Sequence, residues 1–502
     1  MGDLDLAQPS LLGRLFRRRS PPERLVLTRF MILRLLGGVY TVAFPVLFFQ
    51  ALPLFGHDGL LPADAYLERV RAAGVGFWKL PSLFVFGISD GLLRALAGLG
   101  AVLGALCAVG VTHWTLLVVL WALYLSFVHV GQVWMGYGWD IQLCETGFLA
   151  IFLALGAGRE PPRVVVWLFR WLIVRIMLGA GLIKLRGDPC WRELTCLDYH
   201  FETQPLPNPL SALFHAAPHW VHAAGVAGNH VAELVAPIFV FTSRRLRRIA
   251  GAVMLALQIT LILSGNLSFL NWLTLVPILA CFDDAVWKRI LPGALVRRAE
   301  AAPATRRAAK IAGGVAFAVV AYLSIAVVVN LVSDSQQMNT SFEPFELVNT
   351  YGAFGSVGKE RDEIVFEGTR DERPDDDAHW IAYEWKCKPG DPDRRPCVVS
   401  PYHLRLDWQI WFAAMGGPDE APWTVHLVSK LLHGDAATLG LLAGDPFAAT
   451  PPRWIRARLY RYQLARPGEA SHWHRTFLHE WLPPLSVDHP ALREFLEAYG
   501  WH

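Results

Sequence analysis

Apolar residues fall into long segments over the first two thirds of the chain, and short polar stretches separate these segments. A helix needs about 20 mostly apolar residues to cross the hydrocarbon core of a bilayer. Nine segments approach that length, although several are short: 30–55, 92–111, 114–131, 141–157, 164–185, 220–242, 249–263, 269–282 and 311–332. The pattern predicts a polytopic membrane α-helical bundle of about nine transmembrane helices over residues 29–335.

The pattern changes after about residue 333. Residues 345–349, 363–368, 380–386 and 454–462 alternate or cluster β-favouring residues between Gly, Asp and Pro, which is typical of strands in a water-facing sheet. The predicted helices of this part span residues 405–415, 425–432 and 490–498. Pro490 suits the first turn of the last helix. Residues 336–502 are therefore predicted to form an α+β domain with a β-sheet.

Composition supports a membrane protein, because 53% of the residues are hydrophobic and only 18% are charged. The position of the basic residues is more informative than the formal net charge of +3. They form three clusters: Arg14, Arg17, Arg18 and Arg19; Arg244, Arg245, Arg247 and Arg248; and Lys288, Arg289, Arg297, Arg298, Arg306, Arg307 and Lys310. Each cluster adjoins an apolar segment, which favours the positive-inside rule over nucleic-acid binding.

The arginine clusters predict an orientation in the membrane. With a basic arm of residues 1–28 in the cytoplasm and no apparent cleavable signal peptide, nine crossings leave the other two clusters on the cytoplasmic side as well. The same count places a cap loop of residues 184–219 and the domain of residues 336–502 on the exoplasmic side. An odd number of crossings matters more here than the number nine. We expect an integral multi-pass protein in contact with membrane lipids.

Two close-spaced cysteine pairs lie in the regions predicted to be exoplasmic, where disulfides persist. Cys387 and Cys397 enclose a loop rich in Pro and charge, for which a structural disulfide is predicted. Cys190 and Cys196 are also predicted to form a structural bridge, although nearby basic residues leave an exchangeable pair open. Neither pair is CxxC. The remaining cysteines, Cys107, Cys144 and Cys281, lie in apolar segments and are predicted to pack there.

Polar residues inside the apolar segments predict a polar intramembrane cluster. Asn229, His230 and Glu233 share one helix face. Ionisable groups at such positions usually point into the bundle, so Glu233 should meet a cation or a donor from another helix. The partners considered for it are Asp140, Glu145, Arg170, Arg175 and His129, and Lys184 completes the predicted cluster. The alternative is a polar network that only holds the helices together.

Long phrases in two blocks are similar to one known family. In the first block GDPCWRELTC spans residues 187–196, DYHFETQP spans 198–205 and GNH spans 228–230. In the second, NTYGAFG spans 349–355, CKPGDP begins at Cys387, RPC ends at Cys397 and PYHLRLDWQ spans 401–409. The chain resembles the lipase maturation factor family over roughly residues 180–280 and 340–465. The resemblance implies a chaperone-like membrane protein that helps secreted lipases to fold and assemble.

We expect such a factor to bind partly folded lipases through exposed aromatic side chains. The candidates are Trp385, Tyr402, Trp408, Trp411 and Phe412, and the alternative is that these residues belong to the core. No cofactor, metal site or nucleic-acid partner is predicted, and the oligomeric state stays open. The short, Ala-rich and basic sequence looks bacterial, which favours the plasma membrane; in a eukaryote the endoplasmic reticulum would take its place.

Lys184 carries the main alternative. The phrase GAGLIKL, residues 179–185, is also similar to the transmembrane domain of the vitamin K-dependent carboxylase, where a lysine at the matching place acts as a base. A membrane enzyme acting on a hydrophobic substrate would then need Lys184, whereas a lysine at a helix end often extends to the interface instead. A third possibility, transport through the polar interior, is weakened by the lack of a visible inverted repeat.

Residues 87–91 match the G-x-S-x-G pattern of lipase nucleophiles. That pattern requires a strand, a tight turn and a helix within an α/β sheet, and here it precedes an apolar helix. Ser89 or Asp90 is therefore predicted to cap that helix rather than to act as a nucleophile.

Overall fold

The computed structural model describes residues 23–448, 450–466 and 468–501. Arg14, Arg17, Arg18 and Arg19, and with them most of the predicted arm 1–28, lie outside the described residues. The α-helices before the sheet are α1 (Val26–Phe55), α2 (Ala63–Ala72), α3 (Asp90–Val109), α4 (Trp114–Val130), α5 (Gly138–Ala154), α6 (Arg163–Arg186), α7 (Pro189–Arg192), α8 (Leu197–Thr203), α9 (Ser211–His215), α10 (His219–His230), α11 (Arg244–Ser264), α12 (Leu270–Ile278), α13 (Asp284–Trp287), α14 (Gly293–Glu300) and α15 (Arg307–Val332).

The remaining elements form the C-terminal domain. They are β1 (Arg361–Thr369), β2 (Ile381–Ala382), α16 (Arg405–Ala413), α17 (Trp423–Leu432), α18 (Ala436–Leu439), β3 (Trp454–Leu464), β4 (Trp473–Leu485) and α19 (Pro490–Tyr499). Within the described residues the strands make one antiparallel sheet in the order β2-β1-β3-β4. Phe366 packs against Trp385 and Trp481 on this sheet, at centroid distances of 5.8 and 6.4 Å.

The membrane-helical character of the chain is confirmed. In the described part of the chain, five helices are long and apolar enough to cross a membrane: α1, α3, α6, α11 and α15. Helix α4 and the segment Leu270–Cys281 are apolar but shorter. The predicted segments 141–157 and 220–242 correspond to α5 and to α10, which continues as a π-helical turn, Val231–Val235, and a 3-10 turn, Ala236–Phe239. The number of nine crossings stays a prediction.

Small residues allow α1 and α3 to pack closely, as is usual between membrane helices. A Cβ atom on Gly104 of α3 would lie 3.0 Å from the backbone of Tyr40 and Thr41 in α1. A Cβ atom on Gly37 of α1 would overlap the backbone of Ala108 in α3. Glycine at these two positions brings the backbones of the two helices together.

The bundle has one end that is rich in ion pairs, which we call the basic end. Arg24 before α1 donates to Glu160 (2.7 Å), and Arg248 of α11 donates to Asp283 (2.5 Å). Asp284 accepts hydrogen bonds of 2.9 to 3.2 Å from backbone N–H groups in the first turn of α1. Helices α11 and α15 start at this end, at Arg244 and Arg307. The second and third basic clusters thus lie at one end of the bundle.

The C-terminal domain packs against the opposite end, which we call the domain end. Gln50 near the end of α1 donates to the His403 carbonyl (2.7 Å). Asn266, between α11 and α12, donates to the Cys397 carbonyl (3.0 Å) and accepts from Val399 N–H (2.9 Å). Residues from the bundle, the cap loop and the domain therefore share one continuous interface.

Most predicted elements of the C-terminal domain are confirmed. The segments 363–368 and 454–462 lie in β1 and β3, and the three predicted helices correspond to α16, α17 and α19. The strand predicted at 345–349 is wrong, because this stretch has only a single bridge, Ser341 to Asn349, and extends toward the bundle. Of the strand predicted at 380–386, only Ile381–Ala382 forms. Strand β4 was not predicted, because its middle is exposed on both faces and lacks the alternation of a half-buried strand.

Candidate functional site at the domain end

Lys184 and Glu233 form a buried ion pair between α6 and the segment that follows α10. The Lys184 Nζ atom lies 2.6 and 2.8 Å from the two carboxylate oxygens of Glu233. Asn229 Nδ2 donates to the same carboxylate at 2.9 Å. Glu233 lies on the π-helical turn Val231–Val235, a type of helical irregularity that is frequent at functional sites. The carboxylate therefore has both a cationic and an amide donor.

Neighbouring residues hold this pair in place. Lys184 Nζ lies 4.8 Å from the ring centroid of Trp191, a cation–π distance. His230 Nε2 is 3.0 Å from the Trp191 carbonyl oxygen, so His230 contacts the surroundings of the pair rather than the carboxylate. A Cβ atom on Gly181 would lie 3.1 Å from Glu233 Cβ and 2.6 Å from Leu234 Cδ2. Glycine at 181 allows the close approach of α6.

Glu145 and Arg175 form a second buried pair, between α5 and α6. A segment that precedes β1 completes it from outside the bundle. Tyr351 Oη donates to Glu145 Oε2 (2.7 Å), and Asn349 N–H donates to the same oxygen (3.0 Å). Arg175 Nη1 in turn donates to the Asn349 carbonyl (2.8 Å). A Cβ atom on Gly179 would overlap the Tyr351 carbonyl oxygen, so glycine makes room for the segment.

Asp140 and Arg405 form a third buried pair, which joins the first turn of α5 to the first turn of α16. Arg405 donates to both carboxylate oxygens of Asp140, at 2.9 and 3.1 Å. Tyr124 Oη donates to Asp140 Oδ1 at 2.5 Å, and Arg405 also donates to the Trp134 carbonyl. Gln50 Oε1 accepts from the Arg405 backbone N–H at 3.0 Å. Buried charges need this degree of pairing.

The predicted polar cluster is thus divided into separate groups. Lys184, Asn229, His230 and Glu233 lie together, whereas Asp140 and Glu145 belong to two other ion pairs. None of the partners considered for Glu233 is correct, because Lys184 is its partner. Arg170 donates instead to the Ala280 carbonyl at 2.8 Å, and His129 Nε2 lies 2.8 Å from the Pro344 carbonyl oxygen.

Both predicted disulfides are present in the structure. The Cα atoms of Cys190 and Cys196 are 4.8 Å apart, and those of Cys387 and Cys397 are 5.5 Å apart. Cys107, Cys144 and Cys281 are free and buried, as expected for packing residues. Both bridges lie at the domain end, where Cys190 and Cys196 belong to the cap loop.

A charged cluster of the C-terminal domain faces the cap loop. Glu363 of β1 pairs with Arg361 (2.6 Å) and with Lys388, which follows Cys387. Arg361 donates to the carbonyl oxygens of Glu202 (2.8 Å) and Pro205 (3.0 Å) in the cap loop. Burial lowers the pKa of Arg361 to about 9. The cluster joins β1, the second disulfide loop and the cap loop.

The aromatic residues predicted to contact a client differ in exposure. Trp385 and Trp408 are buried and belong to the core, so they are not available as contacts. Tyr402 and Trp411 are half-buried: Tyr402 Oη accepts from Gln50 (3.1 Å), and Trp411 Nε1 donates to the Thr203 carbonyl (3.1 Å). Phe412 is 45% exposed. Phe412 is therefore the member of the predicted set that is best placed for a contact.

Phe412 lines a cleft of about 730 Å³ between the bundle and the C-terminal domain. Helix α2 and the turn that follows α4 form one wall, with Arg69 and Gln132. Trp423 of α17 and Tyr499 of α19 lie on the domain side. The cleft combines aromatic rings with a few polar groups, which is the usual lining of a binding site.

Ser89 is confirmed as a helix cap. Its Oγ atom accepts a hydrogen bond from Leu92 N–H (3.2 Å) at the start of α3. No strand precedes it among the residues described from 23 onward, so no nucleophile elbow forms at this position.

The sequence itself decides the family. A family model described as the lipase maturation factor transmembrane domain matches residues 27–289, and one described as the lipase maturation factor C-terminal domain matches residues 347–483. Lipase maturation factor 1 of Bos taurus is 46% identical over 517 residues, which cover 95% of this chain and 91% of that protein. The chain belongs to the lipase maturation factor family.

Further members of the family match along nearly the whole chain. Lipase maturation factor 1 of Homo sapiens is 46% identical over 517 residues, covering 95% of this chain and 90% of the relative. Lipase maturation factor 2 of Mus musculus is 30% identical over 602 residues, covering 94% of this chain and 84% of the relative. No solved structure matches this chain.

The phrases that carry the resemblance to the lipase maturation factor family contact one another. Trp191 Nε1 in the cap loop donates to the Phe354 carbonyl (2.8 Å), and Asp188 N–H donates to the Gly355 carbonyl (2.9 Å). The NTYGAFG phrase therefore lies between the bundle and the cap loop. These phrases form the interface that holds the C-terminal domain on the bundle.

Sequence reasoning quoted Tyr351 and Arg405 within family phrases but assigned them no role. Asn266 and Arg361 were not considered at all. A charged residue such as Arg405 in the first turn of a helix rich in aromatic residues was the available signal, because a buried charge requires a partner. Its partner, Asp140, is 265 residues away in the sequence, so the pairing itself could not be inferred.

The carboxylase-like alternative gains no support from this geometry. The Lys184 Nζ atom is already in contact with both carboxylate oxygens of Glu233 and lies over the Trp191 ring.

Proposed function

We propose that this protein is a membrane-embedded maturation factor that helps secreted lipases to fold and assemble. The observation that carries the proposal is the rigid domain end: buried ion pairs and two disulfides fix a domain whose open cleft carries the exposed Phe412 ring. A fixed, partly aromatic surface suits a holdase, because it offers apolar contacts without rearrangement. The names of the relatives, lipase maturation factor 1 and 2, provide the client class, lipases.

We further propose that the basic end faces the cytoplasm and that the domain end is exoplasmic. The positive-inside rule and the persistence of disulfides outside the cytoplasm both support this orientation. Residues 1–28 would then form a cytoplasmic arm, residues 29–335 the transmembrane domain with an odd number of crossings, nine in our proposal, and residues 336–502 the exoplasmic domain. The proposed location is the bacterial plasma membrane, or the endoplasmic reticulum in a eukaryotic host.

The client would contact the cleft at Phe412, with Trp411 beside it at a ring-centroid distance of 4.9 Å, and Tyr402 would be a separate contact outside this cleft. Phe412 lies on α16, whose first turn is joined to α5 through Arg405 and Asp140. A ring on such a fixed helix loses little conformational freedom when a client binds. The surrounding lipid would keep the complex at the membrane where the client emerges.

The test is a secretion experiment with a matched control. A secreted lipase is expressed in a host that lacks any such factor, with and without this protein, and lipase activity is measured per amount of secreted lipase. The protein should raise this specific activity severalfold. Phe412→Asp should abolish most of the gain, whereas Phe342→Asp, at a ring 46% exposed, should not. An unchanged specific activity with the wild-type protein would refute the proposal.

The orientation has its own test. A reporter active only in the cytoplasm, fused after the last residue, should be inactive, and one that requires export should be active. The opposite result would exclude an exoplasmic C-terminal domain and with it the contact with secreted lipases.

A further inference from the structure

Strand β4 is the edge of the sheet, and its middle is open. Its thirteen residues, Trp473–Leu485, pair with β3 on one side. Within the described residues no other strand pairs with it. Residues 474–480 are all exposed, whereas Trp473 and Trp481 at the two ends of this stretch are buried. Natural proteins usually keep edge strands short or cover them, because an open edge can pair with another chain.

Both ends of the open stretch are anchored. The Arg361 guanidinium lies over the Trp473 ring at 5.4 Å, so this end is joined to the cluster that contacts the cap loop. At the other end Trp481 Nε1 donates to the Gly416 carbonyl (2.9 Å). The strand is therefore held extended before any partner arrives, which lowers the entropy that is lost on pairing.

The direction of the free backbone groups follows from the pairing. Five consecutive pairs join β3 and β4, from Leu464 with Trp473 to Tyr460 with Phe477. Trp473 N–H donates to the Pro392 carbonyl (3.0 Å), so this N–H points away from β3. Backbone groups in an antiparallel strand repeat their direction every second residue. The N–H and C=O groups of Arg475 and Phe477 therefore also point away from β3, toward the open side.

The open stretch has a defined limit. The pairing steps from Tyr460 with Phe477 to Leu459 with His479, which leaves Leu478 as an extra residue in a bulge. A bulge interrupts a regular ladder. The regular open edge thus ends at Phe477, whose ring is 50% exposed and available to a neighbouring side chain.

We propose that the open edge at Arg475 and Phe477 binds an extended segment of the lipase client as an additional β-strand. The proposal rests on the proposed function and names the part of the client that is held. A row of unpaired N–H and C=O groups is complementary to another strand whatever its sequence, and the Phe477 ring favours an apolar residue beside it. Sequence-independent pairing suits a chain that has not completed its own sheets.

Proline substitution tests the edge directly. Arg475→Pro removes the outward N–H and places the ring on the open side, while the inward hydrogen bonds to β3 come from the neighbouring residues. Arg475→Ala is the matched control, because it loses the same side chain and its contacts with Tyr460 and Tyr462 but keeps the N–H. In the secretion experiment we expect the gain in lipase activity with Arg475→Pro to be at least fivefold smaller than the gain with Arg475→Ala. Thermal unfolding checks that both variants are folded. Equal activity of two folded variants would overturn the proposal.

A photocrosslinking experiment identifies the occupant. A benzophenone amino acid replaces Phe477 or, as a control of similar exposure, Phe342 in the full-length protein, and cells secreting a tagged lipase are irradiated. Crosslinking of the lipase from position 477, and not from 342, is the expected result. Crosslinking to a second copy of this protein, or to no protein while lipase activity still rises, would overturn the strand proposal and leave the proposed function intact. A wild-type protein without effect on the lipase would refute the function itself.

Discussion

The two ends of the bundle use charged residues in different ways. At the basic end the Arg24 side chain is 33% exposed where it meets Glu160, and Arg248 is 30% exposed where it meets Asp283. At the domain end Arg405 and Asp140 are both fully buried, and Arg175 and Glu145 are nearly so. Partly exposed ion pairs such as these occur at the basic end, beside the more buried pairs of Arg170 and Arg247 with Glu23, whereas both members of each pair are buried at the domain end.

This difference decides what each set of pairs does. An exposed ion pair contributes about 0 to 1 kcal/mol and is weakened by salt. Removing one partner of a buried pair is far more harmful, because the other charge remains without compensation. The basic end is therefore suited to set orientation in the membrane, whereas the domain end is suited to fix one arrangement of the domain on the bundle.

The largest effect is expected from Asp140→Asn. The substitution keeps the side-chain size but leaves Arg405 buried without a carboxylate, which should lower the free energy of unfolding by about 3 to 5 kcal/mol. Thermal unfolding of the detergent-solubilised protein measures the loss. Glu160→Gln at the basic end is the matched control and should cost less than about 1 kcal/mol. Equal losses from the two substitutions would contradict the comparison of the two ends.

The Lys184–Glu233 pair should respond almost as strongly. Glu233→Gln leaves a buried ammonium group without a carboxylate and should destabilise the protein by about 3 kcal/mol. The double substitution of Lys184→Met with Glu233→Met removes both charges and should recover most of this loss, again by thermal unfolding.

The same double variant separates structure from function at this pair. If it is stable and still raises lipase activity, the pair only holds the helices together. The Lys184→Arg variant adds a second test. A folded but inactive Lys184→Arg protein would support a role of Lys184 as a reactive group, and an active one would exclude that role.

Loss of the Cys387–Cys397 disulfide should have an intermediate effect. The bridge closes a loop with a sequence separation of 10, for which chain entropy predicts about 2 to 3 kcal/mol. Replacing both cysteines with serine should therefore lower thermal stability and expose the loop to proteases. The same double replacement at Cys190 and Cys196, separated by 6 residues, should cost a few tenths of a kcal/mol less. Full protease resistance without either bridge would argue against a structural role.

The smallest effect concerns pH at the domain end. Burial, with a further contribution from Lys184, lowers the pKa of His200 in the cap loop to about 4. The unfolded chain binds a proton near pH 6.5 and the folded chain does not, so stability is present above pH 6.5 and is lost as the pH falls toward 4. The loss approaches about 1.4 kcal/mol per pH unit.

Protease protection of the cap loop between pH 7 and 5 measures this loss. His200→Gln should reduce the slope. Burial also lowers the pKa of His403, so a slope with the same sign should remain. A stability that is independent of pH over this range would show that neither histidine is kept neutral by burial.

Some features of this chain could be predicted from local sequence. The apolar stretches at α1, α3, α6, α11 and α15 are long enough to be recognised without any partner. The cysteines of each disulfide are few residues apart, so their pairing followed from spacing and compartment. Helices α16 and α17 and strands β1 and β3 carry their own periodicity. Each of these signals is contained within one short stretch of chain.

Other features could not be read in the same way. Strand β4 has seven consecutive exposed residues and therefore lacks the alternation of a half-buried strand. Residues 345–349 resembled a strand because β-favouring residues cluster there, but the segment that contains them leads to Asn349 and Tyr351, which bind Glu145. The partners of Glu233, Asp140 and Arg361 come from distant parts of the chain. The hydrophobic pattern predicts the face of the helix or strand on which each charged residue lies, but it does not predict which residue will pair with it.

By itself, the sequence determined which stretches are apolar, which cysteines lie near each other and which family the chain belongs to, because these are properties of neighbouring residues and of whole phrases. Only the tertiary structure decided that Lys184 meets Glu233, that Arg405 meets Asp140 and that β4 has an open edge. The physical reason is that a buried charge or an unpaired backbone group is defined by what lies across from it, and folding alone brings those partners together.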